Sequence, residues 1–283
     1  MLSLDRARGA LLGLAVGDAL GTTNEFSTNP PPLQDIVGGG PFQLLPGQWT
    51  DDTSMALCLA DSLIEKQAFD PADQMRRYLA WWREGHNSVL GHCFDIGNAT
   101  RDALARFARN GDPYAGSTDP YSAGNGSLMR LSPVVVYFAL ALEDIALQAA
   151  EDSSRVTHAA PQALACCRTF TIHLRRAFQG LPKQEVLAGF EPQPLIPSGY
   201  VVDSMNVALS CFAATDNFRD GALMAANLGG DADTNAAIYG QIAGAFYGES
   251  GIPAPWLAKL AWIDELRAKA DRLHAAAHAI ATN

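Results

Sequence analysis

The sequence is short of positive charge: 20 Lys+Arg stand against 30 Asp+Glu, a formal net charge of −10 at pH 7. A chain that acidic lacks the cationic surface that general nucleic-acid or anionic-membrane binding requires. It also lacks any uninterrupted apolar run near the ~18 residues of a membrane span, so no span is expected. Cysteine is scarce, with five in all (Cys58, Cys93, Cys166, Cys167 and Cys211) and no Cys-x-x-Cys. An odd number of thiols, mostly within apolar runs such as Leu57-Cys58-Leu59, reads as buried free thiols in a reducing compartment, not a disulfide framework or zinc site. Arg6 and Arg8 ahead of the apolar residues 10–16 faintly imitate a signal peptide. Asp18 follows at once, however, and there is no Ala-x-Ala pattern, so a cytoplasmic location is expected. Apolar–polar alternation is rare as well, and Val134-Val135-Val136 is the one serious strand candidate.

What is present is helical. The 283 residues are 48% hydrophobic and 18% charged, with mean hydropathy +0.00, enough to bury a substantial core and too apolar for disorder. Gly9, Gly13, Gly17 and Gly21 recur every four residues, one smooth stripe along a helix. Such a stripe costs about 1 kcal/mol per glycine relative to alanine, so close approach of a backbone or ligand is expected to offset it. A breaker-rich loop runs from residue 28 to 47, through Pro30-Pro31-Pro32 and Gly38-Gly39-Gly40. Thr50 or Asp51 is then expected to cap a helix reaching about Lys66. Further helices are expected near 71–84, 95–109, 132–150, 160–179, 203–213, 217–227, 233–247 and 254–281, with loops at 110–127 and 188–199. The expectation is an all-α fold in one domain over 1–283, because the chemical motifs lie at both ends of the chain.

Two acidic clusters carry the most information. Thr50-Asp51-Asp52-Thr53 and Gly229-Gly230-Asp231-Ala232-Asp233-Thr234-Asn235 each enter a helix. Either cluster alone is accounted for by carboxylates favoured at a helix N-terminus. Converging together, four carboxylates would repel unless cations intervened, and oxygen ligands with threonine hydroxyls suit Mg²⁺, Mn²⁺ or Ca²⁺ better than zinc. An EF-hand is excluded, since a loop begun at Asp231 puts Ala236 at the obligatory glycine and Ile242 at the bidentate glutamate. The segment 122–130, Ser-Ala-Gly-Asn-Gly-Ser-Leu-Met-Arg, exposes backbone N–H groups suited to phosphate oxygens, or is an ordinary loop; it is neither a Walker A loop nor a nucleophile elbow. His158 at a helix entrance suits a phosphate or sugar, or a plain cap region. Asp95-Ile96-Gly97-Asn98 is a ligand-facing set or a helix cap. Trp81-Trp82 reads as core plus an amphipathic neighbour, and His274 with His278 as surface residues.

Taken in order, these segments resemble the ADP-ribosylglycohydrolase family. The matching pieces are residues 13–21 (Gly-Leu-Ala-Val-Gly-Asp-Ala-Leu-Gly) with Glu25-Phe26, Thr50-Asp51-Asp52-Thr53, Asp95-Ile96-Gly97-Asn98, residues 124–130, Thr157-His158, and residues 227–234. Residues 200–205 look most like the bacterial branch of dinitrogenase reductase-activating glycohydrolase type. The resemblance implies a compact orthogonal helical bundle with two Mg²⁺ or Mn²⁺ ions. The metal ligands it implies are Thr50, Asp51, Asp52, Asp231, Asp233 and Thr234. It implies substrate contacts from Gly97, Asn98, Ser122, Gly124, Asn125, Gly126, Ser127, Met129, His158 and Tyr200, with Glu25 and Asp95 as the catalytic carboxylates. The activity it implies is hydrolysis of ADP-ribose from a modified protein side chain, foremost arginine, releasing free ADP-ribose. Serine-linked ADP-ribose, O-acetyl-ADP-ribose or modified nucleic acid are alternative substrates, and a non-catalytic ADP-ribose-binding regulatory or immunity protein is a further alternative. The chain departs from the family pattern at Ala159-Ala160-Pro161, where relatives often carry a second histidine, and at Ser127.

Overall fold

The computed structural model describes residues 2–280; residues 1 and 281–283, including the last position of the expected 254–281 helix, lie outside the described residues. The helices are α1 (Leu4–Gly21), α2 (Asp51–Lys66), α3 (Pro71–Glu84), α4 (Asn98–Asn110), α5 (Ser132–Tyr137), α6 (Glu143–Arg155), α7 (Pro161–Phe178), α8 (Lys183–Val186), α9 (Val201–Ala214), α10 (Phe218–Ala226), α11 (Ala232–Tyr247), α12 (Ala254–Lys259) and α13 (Ile263–Ile280). Among the described residues there is no strand, only isolated bridges such as Gly124 with Tyr200. The valine run 134–136 belongs to α5, where Pro133 stands in the first turn, a position that needs no N–H. Trp81 is core and Trp82 half-buried beside it, as its pattern implied. His274 is held inward instead, its Nε2 3.0 Å from the Leu2 carbonyl.

Local chemistry sets most boundaries. The Asp70 side chain accepts from Asp73 N–H (2.9 Å), Pro71 opens α3, and left-handed Gly85 closes it. Two expected helices are each broken in the middle, for tertiary reasons that periodicity does not carry. The 132–150 segment splits because buried Arg175 of α7 takes the carbonyls of Phe138 (2.6 Å) and Ala141 (2.9 Å), satisfying groups freed by the break. The 254–281 segment splits at Leu260 to Trp262. There Ala261 N–H donates to the Gly47 carbonyl (3.0 Å), Trp49 Nε1–H donates to the Ala261 carbonyl (3.3 Å), and the Trp49 and Trp262 rings meet edge-on at 5.2 Å.

The glycine stripe of α1 lies against the backbone of α11. A Cβ built on Gly9, Gly13, Gly17 or Gly21 would sit 2.2, 2.2, 2.0 and 2.3 Å from the carbonyl oxygens of Gly244, Gly240, Ala236 and Ala232. Carbon and oxygen do not approach so closely, so the two helices pack backbone to backbone and only glycine fits on α1. This contact runs to the first residue of α11, which fixes its N-terminus, with Asp231 and Asp233, beside the C-terminal end of α1. The same end of α1 starts α2. The Asp18 carboxylate, fully buried, accepts from the N–H groups of Thr50 (2.9 Å) and Thr53 (3.0 Å) and from both threonine hydroxyls (2.9 and 2.6 Å). Thr50 is the N-cap residue, as its position implied, but its own side chain does not cap; Asp18 from another helix does that work.

Gly13→Ala separates packing from propensity. Helix propensity alone would raise stability by about 1 kcal/mol. The close contact predicts a net loss of about 2 kcal/mol or more, seen as a melting temperature several degrees lower. An unchanged or higher melting temperature would remove the steric explanation of the stripe.

Candidate functional site

The two acidic clusters, far apart in the chain, meet. Thr50 Oγ1 stands 3.3 Å from both Asp52 Oδ2 and Asp233 Oδ2, and the Thr234 hydroxyl donates to Asp52 Oδ2 across 3.4 Å. One oxygen each from Asp18, Asp52 and Asp233 lies within 4.8 Å of the others, and the same holds for Glu25, Asp95 and Asp233. Asp231 joins from the far side, accepting from Asn125 Nδ2 (2.7 Å), which also donates to Ser204 Oγ (2.9 Å). Side-chain capping does not account for these clusters. Neither α2 nor α11 has a side-chain cap from its own N-terminal residue, while Asp52 Oδ1 and Asp233 Oδ1 are sealed from solvent with no partner at all. Asp95 is not a cap either, because α4 begins after Gly97.

Above this floor opens a cavity of about 510 Å³. Its walls include Glu25, Asp51, Asp95, Gly97, Asn98, Gly124, Asn125, Gly126, Met129, His158, Asp231, Asp233 and Thr234, so thirteen of the sequence-derived site residues line one space. Thr50 and Asp52 sit beneath, wholly buried. Ser122 and Tyr200 line an adjoining groove of about 890 Å³ that shares Asn98, Gly124 and Gly199 with the cavity. The Ser127 hydroxyl turns into the core, accepting from Ser154 Oγ (2.7 Å) beside Cys167 (3.5 Å), which leaves its backbone as the part available to a ligand. The glycine loop is held from below by α11, where Gln241 donates to the carbonyls of Leu128 (3.0 Å) and Met129 (2.8 Å) and accepts from Ser132 N–H (2.7 Å).

A match to the family model for ADP-ribosylglycohydrolase extends over residues 2–281, nearly the whole chain. The chain belongs to the ADP-ribosylglycohydrolase family. It is 45% identical to ADP-ribosylarginine hydrolase Tri1 of Pseudomonas putida (strain GB-1), over 96% of this chain and 78% of that protein. It is 38% identical to ADP-ribosyl-[dinitrogen reductase] glycohydrolase of Rhodospirillum rubrum, over 90% of each. A solved structure titled ADP-ribosylglycohydrolase-related protein complex superposes with a TM-score of 0.87 at 43% identity, covering 97% of this chain and 98% of that one.

Three residues that shape this cavity carry no role in the sequence reading. Asp18 stands in the family motif of residues 13–21, but its spacing carries no sign that it caps α2. Phe26, two-thirds exposed at the cavity wall, holds a positive φ of 60° while its N–H donates to the Gly230 carbonyl (2.6 Å), tying Glu25 to the second acidic cluster. Arg130 is buried behind the glycine loop.

Among the described residues no basic side chain pairs with these carboxylates, and their proton affinities are raised accordingly. Burial first, then the charges of Asp95, Asp18 and Glu25, push Asp51 well above the usual carboxylate range. Asp52 and Asp233 are raised in the same way, by burial and then by Asp18 and Asp51 for the former and by Glu25 and Asp52 for the latter. Burial with Asp95 and Asp231 lifts Glu25 to about 9, burial lifts Asp18 to about 6, and burial with Asp18 and Asp231 lifts Asp95 to about 6. Unfolded carboxyls titrate near 4. The folded, metal-free chain therefore binds more protons than the unfolded one from about pH 4 to 9, and its stability must fall as pH rises through that window. The melting temperature of chelated protein should drop between pH 5 and 8.5, and Mg²⁺ or Mn²⁺ should recover it at the upper end. A flat or rising profile without metal would contradict the electrostatic description.

Proposed function

We propose that this chain is a metal-dependent hydrolase that removes ADP-ribose from modified protein side chains, with ADP-ribosyl-arginine as its substrate and free ADP-ribose as its product. The observation that carries the reading is the meeting of the two acidic clusters on the floor of one cavity, with a glycine loop and an imidazole on its wall. The names of the relatives at 45% and 38% identity, an ADP-ribosylarginine hydrolase and an ADP-ribosyl-[dinitrogen reductase] glycohydrolase, support the same chemistry.

The donor set fits hard divalent cations. It consists of carboxylates and threonine hydroxyls, and the buried Asp52 Oδ1, Asp233 Oδ1 and Glu25 Oε2 have no hydrogen-bond partner. Two Mg²⁺ or Mn²⁺ ions would be held by Thr50, Asp51, Asp52, Asp231, Asp233 and Thr234. Bound there, such ions supply Lewis-acid charge that orients sugar hydroxyls. The chain's own groups do the rest. Glu25 and Asp95 divide the proton traffic, one taking a proton from the attacking water and the other giving one to the departing guanidine nitrogen. Their negative surroundings favour positive charge developing on the ribose. The N–H groups of the Gly124–Ser127 segment and the His158 ring bind the diphosphate, fixing the sugar over the carboxylates. No helix among the described residues is long and apolar enough to cross a membrane. The five cysteines are all free, which suits a reducing cytoplasm.

Asp51→Ala and Asp233→Ala should each lower release of ADP-ribose from an ADP-ribosyl-arginine peptide by about 10³-fold or more, the scale expected for loss of a metal-held electrostatic contribution. Both variants should keep the helical circular-dichroism spectrum and be no less stable than metal-free wild type. Wild-type release by either variant would refute the proposal. Assayed beside serine-linked, O-acetyl and nucleic-acid conjugates, preferential cleavage of a non-arginine conjugate would move the substrate, and tight ADP-ribose binding without any release would mark a binding protein.

A further inference from the structure

Arg130 is 1% exposed, yet none of the partners of its guanidinium is a carboxylate. The group lies 4.7 Å over the Tyr78 ring, donates to the Gly126 carbonyl, and gives an Nη2–H to Thr157 Oγ1 at 2.7 Å. A buried cation without a counter-ion is costly, so its place behind the glycine loop calls for a purpose.

Its bonds to the Gly126 carbonyl and to Thr157 act on groups that face the cavity. Thr157 Oγ1 is also 2.8 Å from His158 Nδ1. Arginine only donates, so the threonine oxygen is already an acceptor, and its one proton has Nδ1 as partner. A proton on Nδ1 would leave the buried Thr157 hydroxyl hydrogen with no acceptor among the described residues, so the arrangement that satisfies every group has Nδ1 accepting and the neutral ring carrying its proton on Nε2. Burial and the Arg130 charge hold the imidazole down at about 3, which keeps the ring neutral under physiological conditions. Nε2 lies under the loop, 3.4 and 3.1 Å from a Cβ built on Gly124 and Gly126, on a residue that lines the cavity. Among the described residues no protein group bonds this nitrogen. The bond from Arg130 to the Gly126 carbonyl turns the Ser127 N–H to the opposite side of the same planar peptide. Neither the Gly126 nor the Ser127 N–H donates to a backbone carbonyl.

We propose that Arg130 and Thr157 are positioning residues, a relay that fixes His158 as an Nε2–H donor aimed at a phosphate oxygen of ADP-ribose. The identity of the ligand rests on the function proposed above; the tautomer does not. Thr157→Val removes the relay hydroxyl at nearly constant volume, and Thr157→Ser restores it. Long-range ¹H–¹⁵N spectra of the His158 side chain in ligand-free wild type and Thr157→Ser should show the Nε2–H tautomer, and Thr157→Val should lose that single form. ADP-ribose affinity measured by calorimetry should weaken about tenfold in Thr157→Val, the scale of one hydrogen bond to a charged group, and stay within about twofold of wild type in Thr157→Ser. In turnover, KM should rise by a similar factor while kcat changes far less. An Nδ1–H tautomer in the wild type, or unchanged affinity in Thr157→Val, overturns the relay while leaving the hydrolase reading intact. ADP-ribose binding with the expected tautomer but no turnover sinks the hydrolase reading and keeps the relay. Absence of ADP-ribose binding to the wild type sinks both the ligand and the aim of the donor.

Discussion

Seven carboxylates, those of Asp18, Glu25, Asp51, Asp52, Asp95, Asp231 and Asp233, share one largely buried region, and among the described residues no basic side chain is bonded to any of them. Two unit charges 4 Å apart repel by about 4 kcal/mol at an effective dielectric constant near 20. Several such pairs cannot remain ionised together at neutral pH without a cation between them. The resulting choice, protons or metal, governs both the stability and the chemistry of the molecule. Hydroxyls and amides serve oxygens of Asp18, Asp52, Asp231 and Asp233, while one oxygen each of Asp52, Asp233 and Glu25 is left bare.

Bringing like charges together requires a scaffold that does not give, and backbone packing provides it. The α1 and α11 backbones touch along four turns, so α11 cannot slide to relieve the repulsion without breaking contacts that no side chain cushions. Asp18 then joins the α1 end to the first turn of α2 through four hydrogen bonds. Three helices are thereby locked at the point where the electrostatic cost is highest. Gln241, about two and a half turns along α11 from Ala232, extends the same frame to the glycine loop, so one helix positions both the acidic floor and the glycine-loop wall of the cavity.

The sequence disclosed this site unevenly, for physical reasons. Short-range signals read well: the helix expected near 71–84 is α3, bounded in the structure by Asp70-Pro71 and Gly85, and the every-fourth glycines of α1 announced a close approach without naming its partner. The carboxylates were legible as types, but their convergence joins positions about 180 residues apart, and only the motif order of a known family carried that information. Features set by long-range hydrogen bonds were hidden. The break at Phe138 depends on Arg175, that at Ala261 on Gly47 and Trp49, and the start of α2 on Asp18. Ser127 shows what residue type alone does not tell. Its hydroxyl belongs to the core with Ser154, and only its peptide group is placed to meet a ligand.

Crystals of the metal-free protein soaked in Mn²⁺ near neutral pH and recorded at the manganese edge offer the most direct test. If the buried carboxylates exist to hold hard cations, two anomalous peaks will stand on the cavity floor, bonded to oxygens of the residue 50–52 and 231–234 clusters. A floor without anomalous density at saturating Mn²⁺, its carboxylates still paired by shared protons, would contradict that claim and the chemistry built upon it.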